Sequence, residues 1–254
     1  MDHGNDNAMT EQPYEIHGAD RTSRWLITCD HATNHVPEDV NGGDLGLPAA
    51  DMSRHIAYDV GAAGVTTALA DLLGAPAILS RFSRLVIDPN RGEDDPTLIM
   101  KLYDGTIIPA NRHITPQEAN RRLDAYWRPY HAALKQLAAR RQDTAIVAIH
   151  SFSPKLNGRA PRPWQIGILH AQDTVFGPTL VERLAREPDL CVGDNEPYAG
   201  HLPGDSIDQH ALTTPRPNVL IELRHDVIET DDQQHAWARR LAPILTEVLA
   251  ETGL

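Results

Sequence analysis

The chain has 254 residues, 41% of them apolar, and its 35 acidic against 23 basic side chains give a formal net charge of −12. That balance excludes nonspecific nucleic-acid binding, which needs a basic surface to release counterions from phosphates, and no apolar run is long enough to span a bilayer. Two cysteines, Cys29 and Cys191, are too few for a disulfide framework or a Cys-rich zinc site; both are expected in the core, and any metal must rest on histidines and carboxylates.

Residues 1–20, "MDHGNDNAMTEQPYEIHGAD", are polar and lack the basic start and apolar middle of a signal peptide. They read as a flexible N-terminal arm of a cytoplasmic protein, followed by a single α/β domain over 21–254. "RWLITC" is a first strand ending at Cys29, and the Pro- and Gly-marked stretch after it is a loop. "DVGAAGVTTALADLLGAP" has apolar residues at helical spacing, with Asp59 as a candidate N-cap and Gly74 as a stop. "PAILS" and "SRLVID" read as short strands. "TPQEANRRLDAYWRPYHAALKQLAARR" opens on Thr-Pro as a helix, with a kink expected at Pro129.

"AIVAIHSFSP" runs five apolar residues into His150 and Ser151, as a strand covered on both faces would. A loop rich in Arg, Pro and Gly leads to the strand "WQIGILH". "VFGPTLVERLARE" is a helix, "CVGDNEPYAGHLPGDSIDQHA" a long loop, and "NVLIELRHD" a last buried strand. The closing "DDQQHAWARRLAPILTEVLAET" is an amphipathic helix with acidic residues at its start and Gly253 at its end.

Strands alternating with helices predict an α/β fold, a mostly parallel or mixed central sheet with helices on both faces. Ligands in such sheets bind beyond the carboxyl ends of the strands. Three strands deliver chemistry there: "WLITC" ends into Asp30 and His31, "AIVAI" into His150 and Ser151, and "NVLIEL" carries Glu222. A lone histidine at a strand end is ordinarily a hydrogen-bonded structural residue, but two imidazoles and a carboxylate from separate strands suit a catalytic zinc site with an open position for water. A carboxylate inside a buried strand is costly unless paired, so Glu222 is either functional or part of a structural ion pair with an arginine.

"HSFS" and "IELR" resemble the signatures of zinc carboxypeptidases, in which the His binds metal and the Glu is the general base. The series "TCDHATNHVP", "SRLVIDPNR", "DGTIIP", "AIHSFSP", "GDNEPY" and "IELRHD" resembles, in that order and over nearly the whole chain from Trp25 to Leu249, the N-formylglutamate amidohydrolase family. The resemblance implies a zinc exopeptidase-like, hydrolase-like three-layer sandwich, and one Zn2+ ion with His31 and His150 as ligands. Where carboxypeptidases have His-x-x-Glu, this chain has Asn34, and a neutral amide is a poor zinc ligand. The related zinc amidases of cell-wall muropeptides place the carboxylate ligand at the start of the following helix. That favours Asp59 as third ligand, with plain helix capping an equal alternative, and leaves Asn34 as a substrate contact.

Glu222 is implied as general base and acid. The Asn90-Arg91 pair resembles the Asn-Arg that grips a substrate carboxylate, and Arg91 is also expected to stabilise the developing oxyanion. Arg84, Ser151, Arg162 and Arg224 are further substrate-binding candidates, and Tyr198 matches a substrate-covering tyrosine; His201, His210 and His225 are spare. The expected reaction is metal-dependent hydrolysis of a small anionic N-acyl substrate resembling N-formylglutamate. Three other readings stand beside it: a metallopeptidase or cell-wall amidase, a noncatalytic small-anion binder, and a cysteine amidase using Cys29.

Overall fold

The computed structural model describes residues 12–170, 173–200 and 202–254. Nine strands and six α-helices follow one another as β1 Tyr14–His17, β2 Trp25–Cys29, α1 Ala49–Met52, α2 Ala62–Leu72, β3 Ala77–Ser80, β4 Leu102–Tyr103, β5 Thr106–Ile107, α3 Pro116–Arg122, α4 Arg128–Ala138, β6 Ala145–Phe152, β7 Ile166–Leu169, α5 Phe176–Leu184, β8 Val192–Asp194, β9 Asn218–Arg224 and α6 Asp231–Thr252. Seven strands form one mixed sheet in the order β1-β3-β2-β6-β9-β7-β8, and β4 and β5 form a separate hairpin. The centre, β3-β2-β6-β9, is parallel, while β1 and β7 run antiparallel to their central neighbours. The expected α/β architecture is therefore present in its mixed form.

Helices α2, α5 and α6 cover one face through Val65, Leu69, Phe176, Leu180, Leu241 and Leu245. Helix α4 covers the other through Tyr130, Leu134 and Leu137 against Leu26, Ile146 and Leu220. Because both faces are covered, β2 and β6 are buried at every position, which is why they read as continuous apolar runs rather than alternating ones. Residues from 40–57 and 82–127 pack a smaller cluster around Phe82, Leu85, Ile87 and Trp127 beside the sheet.

Local signals fix the helix ends. Thr230 and Gln233 form a reciprocal capping box at the start of α6, and Gly253, at φ +70°, closes it. Thr115 accepts from the Glu118 N–H and Pro116 opens α3. The kink expected at Pro129 takes the form of a π-helical turn over Leu123–Trp127, joining α3 to α4. Proline lacks the N–H that would bond the carbonyl four residues back, and the widened turn, with Arg128 N donating to Leu123 O, accommodates that loss.

Four expectations are corrected. Tyr14–His17, assigned to a loose arm, pairs with Ser80–Ala77 as an edge strand; residues 1–11 of the arm lie outside the described residues. Ser83–Asp88 is buried but forms turns, its Leu85, Val86 and Ile87 filling the smaller cluster rather than a sheet. Cys191 is exposed, not in the core. The stretch from Cys191 contains β8 and a second π-helical turn, Asp208–Leu212, rather than loop alone.

Candidate active site

Strand order brings the three polar strand ends together. β6 lies between β2 and β9, so the exit of β2 at Asp30 and His31 sits beside His150, and His150 is the register partner of Glu222. The rings of His31 and His150 meet edge to face with centroids 4.9 Å apart.

Between them stands Asp59, placed just before α2. Its backbone N–H donates to the His31 carbonyl at 2.9 Å, and its Oδ2 lies 3.2 Å from His31 Nδ1, 2.9 Å from His150 Nδ1 and 3.2 Å from the Ser151 N–H. The helix cap itself is Gly61, at φ +78°, where a Cβ would stand 2.2 Å from the Ile228 carbonyl oxygen. Only glycine fits that turn, which leaves the Asp59 side chain to the imidazoles rather than to capping.

Each imidazole meets a second carboxylate through its other nitrogen. His31 Nε2 is 2.7 Å from Asp88 Oδ1, and His150 Nε2 is 3.4 Å from Asp30 Oδ2. Asp30 also accepts from the Tyr130 hydroxyl at 2.6 Å. With a metal ion bound, carboxylates in these positions would fix the tautomer that leaves Nδ1 with a lone pair. Burial pushes the Asp59 carboxyl up, but the two imidazoles outweigh it and hold the group well below the ordinary carboxylate range. Burial likewise favours neutral His150, yet Asp30 and Asp59 hold its pKa well above the usual value.

One donor atom from each of His31, Asp59 and His150 lies within 4.8 Å of the other two, and all three residues are buried. Two imidazoles and one carboxylate, with no thiolate, form a donor set suited to a zinc-like divalent ion with an open position. An orphaned atom agrees: Glu222 Oε2 is buried without a hydrogen-bond partner, and a buried polar atom left unpaired calls for an explanation such as an ion or water. Glu222 is 6% exposed; burial pushes its carboxyl up to about 7, with His150 opposing the rise and Asp59 adding to it. Cys29 lies in β2, and burial, Asp59 and Asp30 all push its thiol up. A protonated buried thiol does not serve a cysteine amidase.

A cavity of about 290 Å³ opens over this cluster, lined also by Asn90, Arg91, Tyr103, Tyr198, Leu202 and Glu222. Arg91 donates to the Asn90 carbonyl through Nη1 and to Thr97 Oγ1 through Nε; among the described residues its Nη2 takes no partner.

Four candidates spend their polar groups on the protein itself. Arg84 borders the cavity, but its Nε and Nη2 both donate to Asp88 Oδ2, at 3.1 and 2.7 Å, and Nη1 reaches Asp59 Oδ1 at 3.4 Å. Its three donor nitrogens all go to two carboxylates of the site. Ser151 faces the cavity, yet its hydroxyl donates to the Val60 carbonyl. Asn34 gives its amide N–H to the Met52 carbonyl and does not line the cavity. Arg224 binds Asp226 and the carbonyls of Arg162, Pro163 and Trp164, bracing a loop away from the site.

Arg162 stands behind the cavity wall, donating to Ser153 O and to the Tyr198 hydroxyl at 3.3 Å, with its guanidinium 5.1 Å from the tyrosine ring centre. Of the spare histidines, His210 packs on His131, His225 lies 6.3 Å from His55 ring to ring, and His201 lies outside the described residues. Sequence reasoning assigned no role to Asp30, Asp88 or Tyr103. An aspartate directly before His31 and one directly before Pro-Asn-Arg were visible signals; nothing marked Tyr103, which reaches the cavity only through the β4–β5 hairpin.

The sequence profile of the N-formylglutamate amidohydrolase family matches residues 23–229. An N-formylglutamate deformylase of Pseudomonas putida is 29% identical over 207 residues, 73% of each chain. Among solved structures, a gene product of Agrobacterium tumefaciens is 31% identical with a TM-score of 0.90, over 96% of this chain and 97% of that one. An N-formylglutamate amidohydrolase of Ralstonia eutropha JMP134 superimposes with a TM-score of 0.71 at 21% identity, over 95% and 98%, a likeness of fold.

Proposed function

The chain belongs to the N-formylglutamate amidohydrolase family, and on that premise we propose that it hydrolyses the amide of a small N-formyl amino acid with an acidic side chain, N-formylglutamate or a close relative, using one Zn2+ ion. The observation that carries this reading is the convergence of His31, Asp59 and His150 beside a buried, proton-poised Glu222.

His31 and His150 would hold the ion through Nδ1, with Asp59 as the third ligand and Asp88 and Asp30 orienting the rings from behind. A zinc ion there supplies Lewis acidity to the scissile carbonyl and makes the attacking water more acidic. Glu222 accepts one proton from that water as its oxygen adds to the carbonyl carbon. When the C–N bond breaks, Glu222 returns the proton to the leaving nitrogen, so that formate and the free amino acid leave. A carboxyl pushed up to about 7 by burial is matched to both halves of this transfer near neutral pH. Arg91, with its free guanidinium edge, supplies a cation for the substrate carboxylate or the developing oxyanion, and the Asn90 amide adds a donor beside it. In an otherwise acidic protein these groups give an anion a local attraction.

The cavity volume fits a molecule of amino-acid size, which favours a free N-acyl amino acid over a polymer. The test is formate release by purified zinc-loaded protein from N-formyl-L-glutamate, compared with N-acetyl-L-glutamate, neutral N-formyl amino acids and short peptides. Release from N-formyl-L-glutamate in preference to the others is expected. No release from it, with efficient hydrolysis of a peptide, would overturn the assignment.

A further inference from the structure

We infer that His131 and His210, neither of which borders the cavity, are positioning residues that lock the wall carrying Asn90 and Arg91 to the segment 202–210, and so set the affinity for the substrate carboxylate.

The tautomers of the pair follow from what it bonds. His131 Nε2 lies 2.9 Å from the Pro89 carbonyl oxygen, which can only accept, so that nitrogen carries the proton. Nδ1 is then an acceptor, and it takes the N–H of His210 Nε2 at 2.8 Å. The two rings have centroids 5.1 Å apart and planes 17° from parallel, as an in-plane N–H···N bond requires. Both are buried, at 5% and 7% exposure, and burial holds them neutral, pushing His131 down to about 4 and His210 to about 3. The result is a directed relay, His210 to His131 to Pro89, connecting the second π-helical turn, helix α4 and the residue before Asn90.

Four further contacts tie Pro89–Gly92 to its neighbours. Ser206 donates its hydroxyl to the Pro89 carbonyl at 3.4 Å and its backbone N–H to Asn90 Oδ1 at 3.2 Å. With the oxygen engaged, the Asn90 amide presents its Nδ2 donor to the cavity. Trp127, whose ring lies 4.0 Å from His131, donates its indole N–H to the Arg91 carbonyl at 3.0 Å. Gly92 and Gly204 bring their backbones into contact: a Cβ built on Gly204 would lie 2.8 Å from Gly92 Cα. The Pro89 carbonyl, the Asn90 amide and the Arg91 carbonyl are thus each held by groups outside the cavity. Because Leu202 and Asp205 border the cavity from the other segment, the relay fixes how two adjoining stretches of its lining sit against each other.

This inference rests on the reading of Asn90 and Arg91 as the carboxylate-binding edge, and the experiment separates the two. Steady-state kinetics with N-formyl-L-glutamate are measured on zinc-loaded wild type, His131→Leu, His131→Gln, Gly92→Ala and Arg91→Ala, with thermal melts to establish folding. Glutamine carries both a donor and an acceptor and can serve Pro89 and His210 together; leucine can serve neither. Gly92→Ala is independent of the histidines: its φ is ordinary, but its Cβ would sit 3.1 Å from the Pro203 carbonyl oxygen and 3.3 Å from Gly204 Cα, prying the two stretches apart.

His131→Leu and Gly92→Ala are expected to raise KM roughly tenfold with kcat within about threefold of wild type, and His131→Gln to restore KM. An unchanged KM in Gly92→Ala and in a folded His131→Leu would overturn the relay, as would equal KM shifts for leucine and glutamine. If Arg91→Ala raises KM while those variants do not, only the relay fails. If Arg91→Ala leaves KM unchanged, the carboxylate reading fails and the relay with it.

Discussion

Two cavities open at opposite ends of the same sheet, and both are bordered by arginines. The one at the carboxyl ends of the strands holds about 290 Å³. The one at the amino ends, around Ser23, Pro76 and Thr144, is larger, at about 430 Å³. They differ in what their polar atoms are doing. At the amino end Arg21 is spent on Asp71 and the Ala75 carbonyl, Arg140 on the Ala19 carbonyl, and Arg141 on Asp143. Among the described residues, no lining side-chain nitrogen or oxygen there is both buried and without a partner. At the carboxyl end Glu222 Oε2 is both. Volume and positive charge are common to both ends; a buried carboxylate oxygen without a partner sets the carboxyl end apart.

The comparison can be broken most directly by removing the metal. Chelation of the purified protein, with metal content measured before and after, is expected to abolish turnover, and zinc to restore it; full turnover in metal-free protein would make the two ends equivalent. Glu222→Gln should retain zinc stoichiometry while lowering kcat by roughly 2 to 4 orders of magnitude, the usual worth of a general base. Metal analysis alongside kinetics separates that outcome from simple loss of the site.

A smaller effect concerns pH and stability. His131 and His210 have folded pKa values of about 4 and about 3, below the ordinary value for histidine. Below about pH 6.5 the unfolded chain binds protons that these folded imidazoles refuse, so their contribution is intact above that pH and is lost as pH falls toward 4. The slope approaches ~1.4 kcal/mol per pH unit for each imidazole. Urea melts of wild type and a His131→Gln/His210→Gln variant between pH 7 and 4.5 should show a shallower decline in the variant. Smallest of all, Arg140→Ala at the amino-end cavity should leave kcat/KM within about twofold of wild type.

The parts of the fold legible in the sequence were those where one physical rule acts alone. β2, β6 and β9 are covered on both faces and appear as unbroken apolar runs, and the carboxyl-end rule then located His31, His150 and Glu222 together. β1 was not legible, because four residues of an edge strand, "YEIH", carry too little apolar character to separate from an arm. "LVI" at 85–87 misled in the opposite sense: its burial is real, but the partner is a side cluster rather than a sheet, and hydrophobicity does not name the partner. The arginines were the least legible. Arg84, Arg91 and Arg224 look alike in sequence, and only the folded arrangement shows that Asp88 takes the first and Asp226 the last, leaving the middle one an unused edge.

The widened turn at Leu123–Trp127 also sets a phase. An uninterrupted α-helix advances about 100° per residue, so one extra residue rotates everything after it relative to everything before it. Ahead of the turn, Arg122 points to Val86 and Asn111 in the side cluster. After it, Tyr130 reaches Asp30 at the sheet, and His131 reaches Pro89. Deleting a single residue from this stretch would leave a helix of ordinary pitch that could satisfy one set of partners or the other, so the spacing between two halves of the molecule is encoded in the count of residues in one turn.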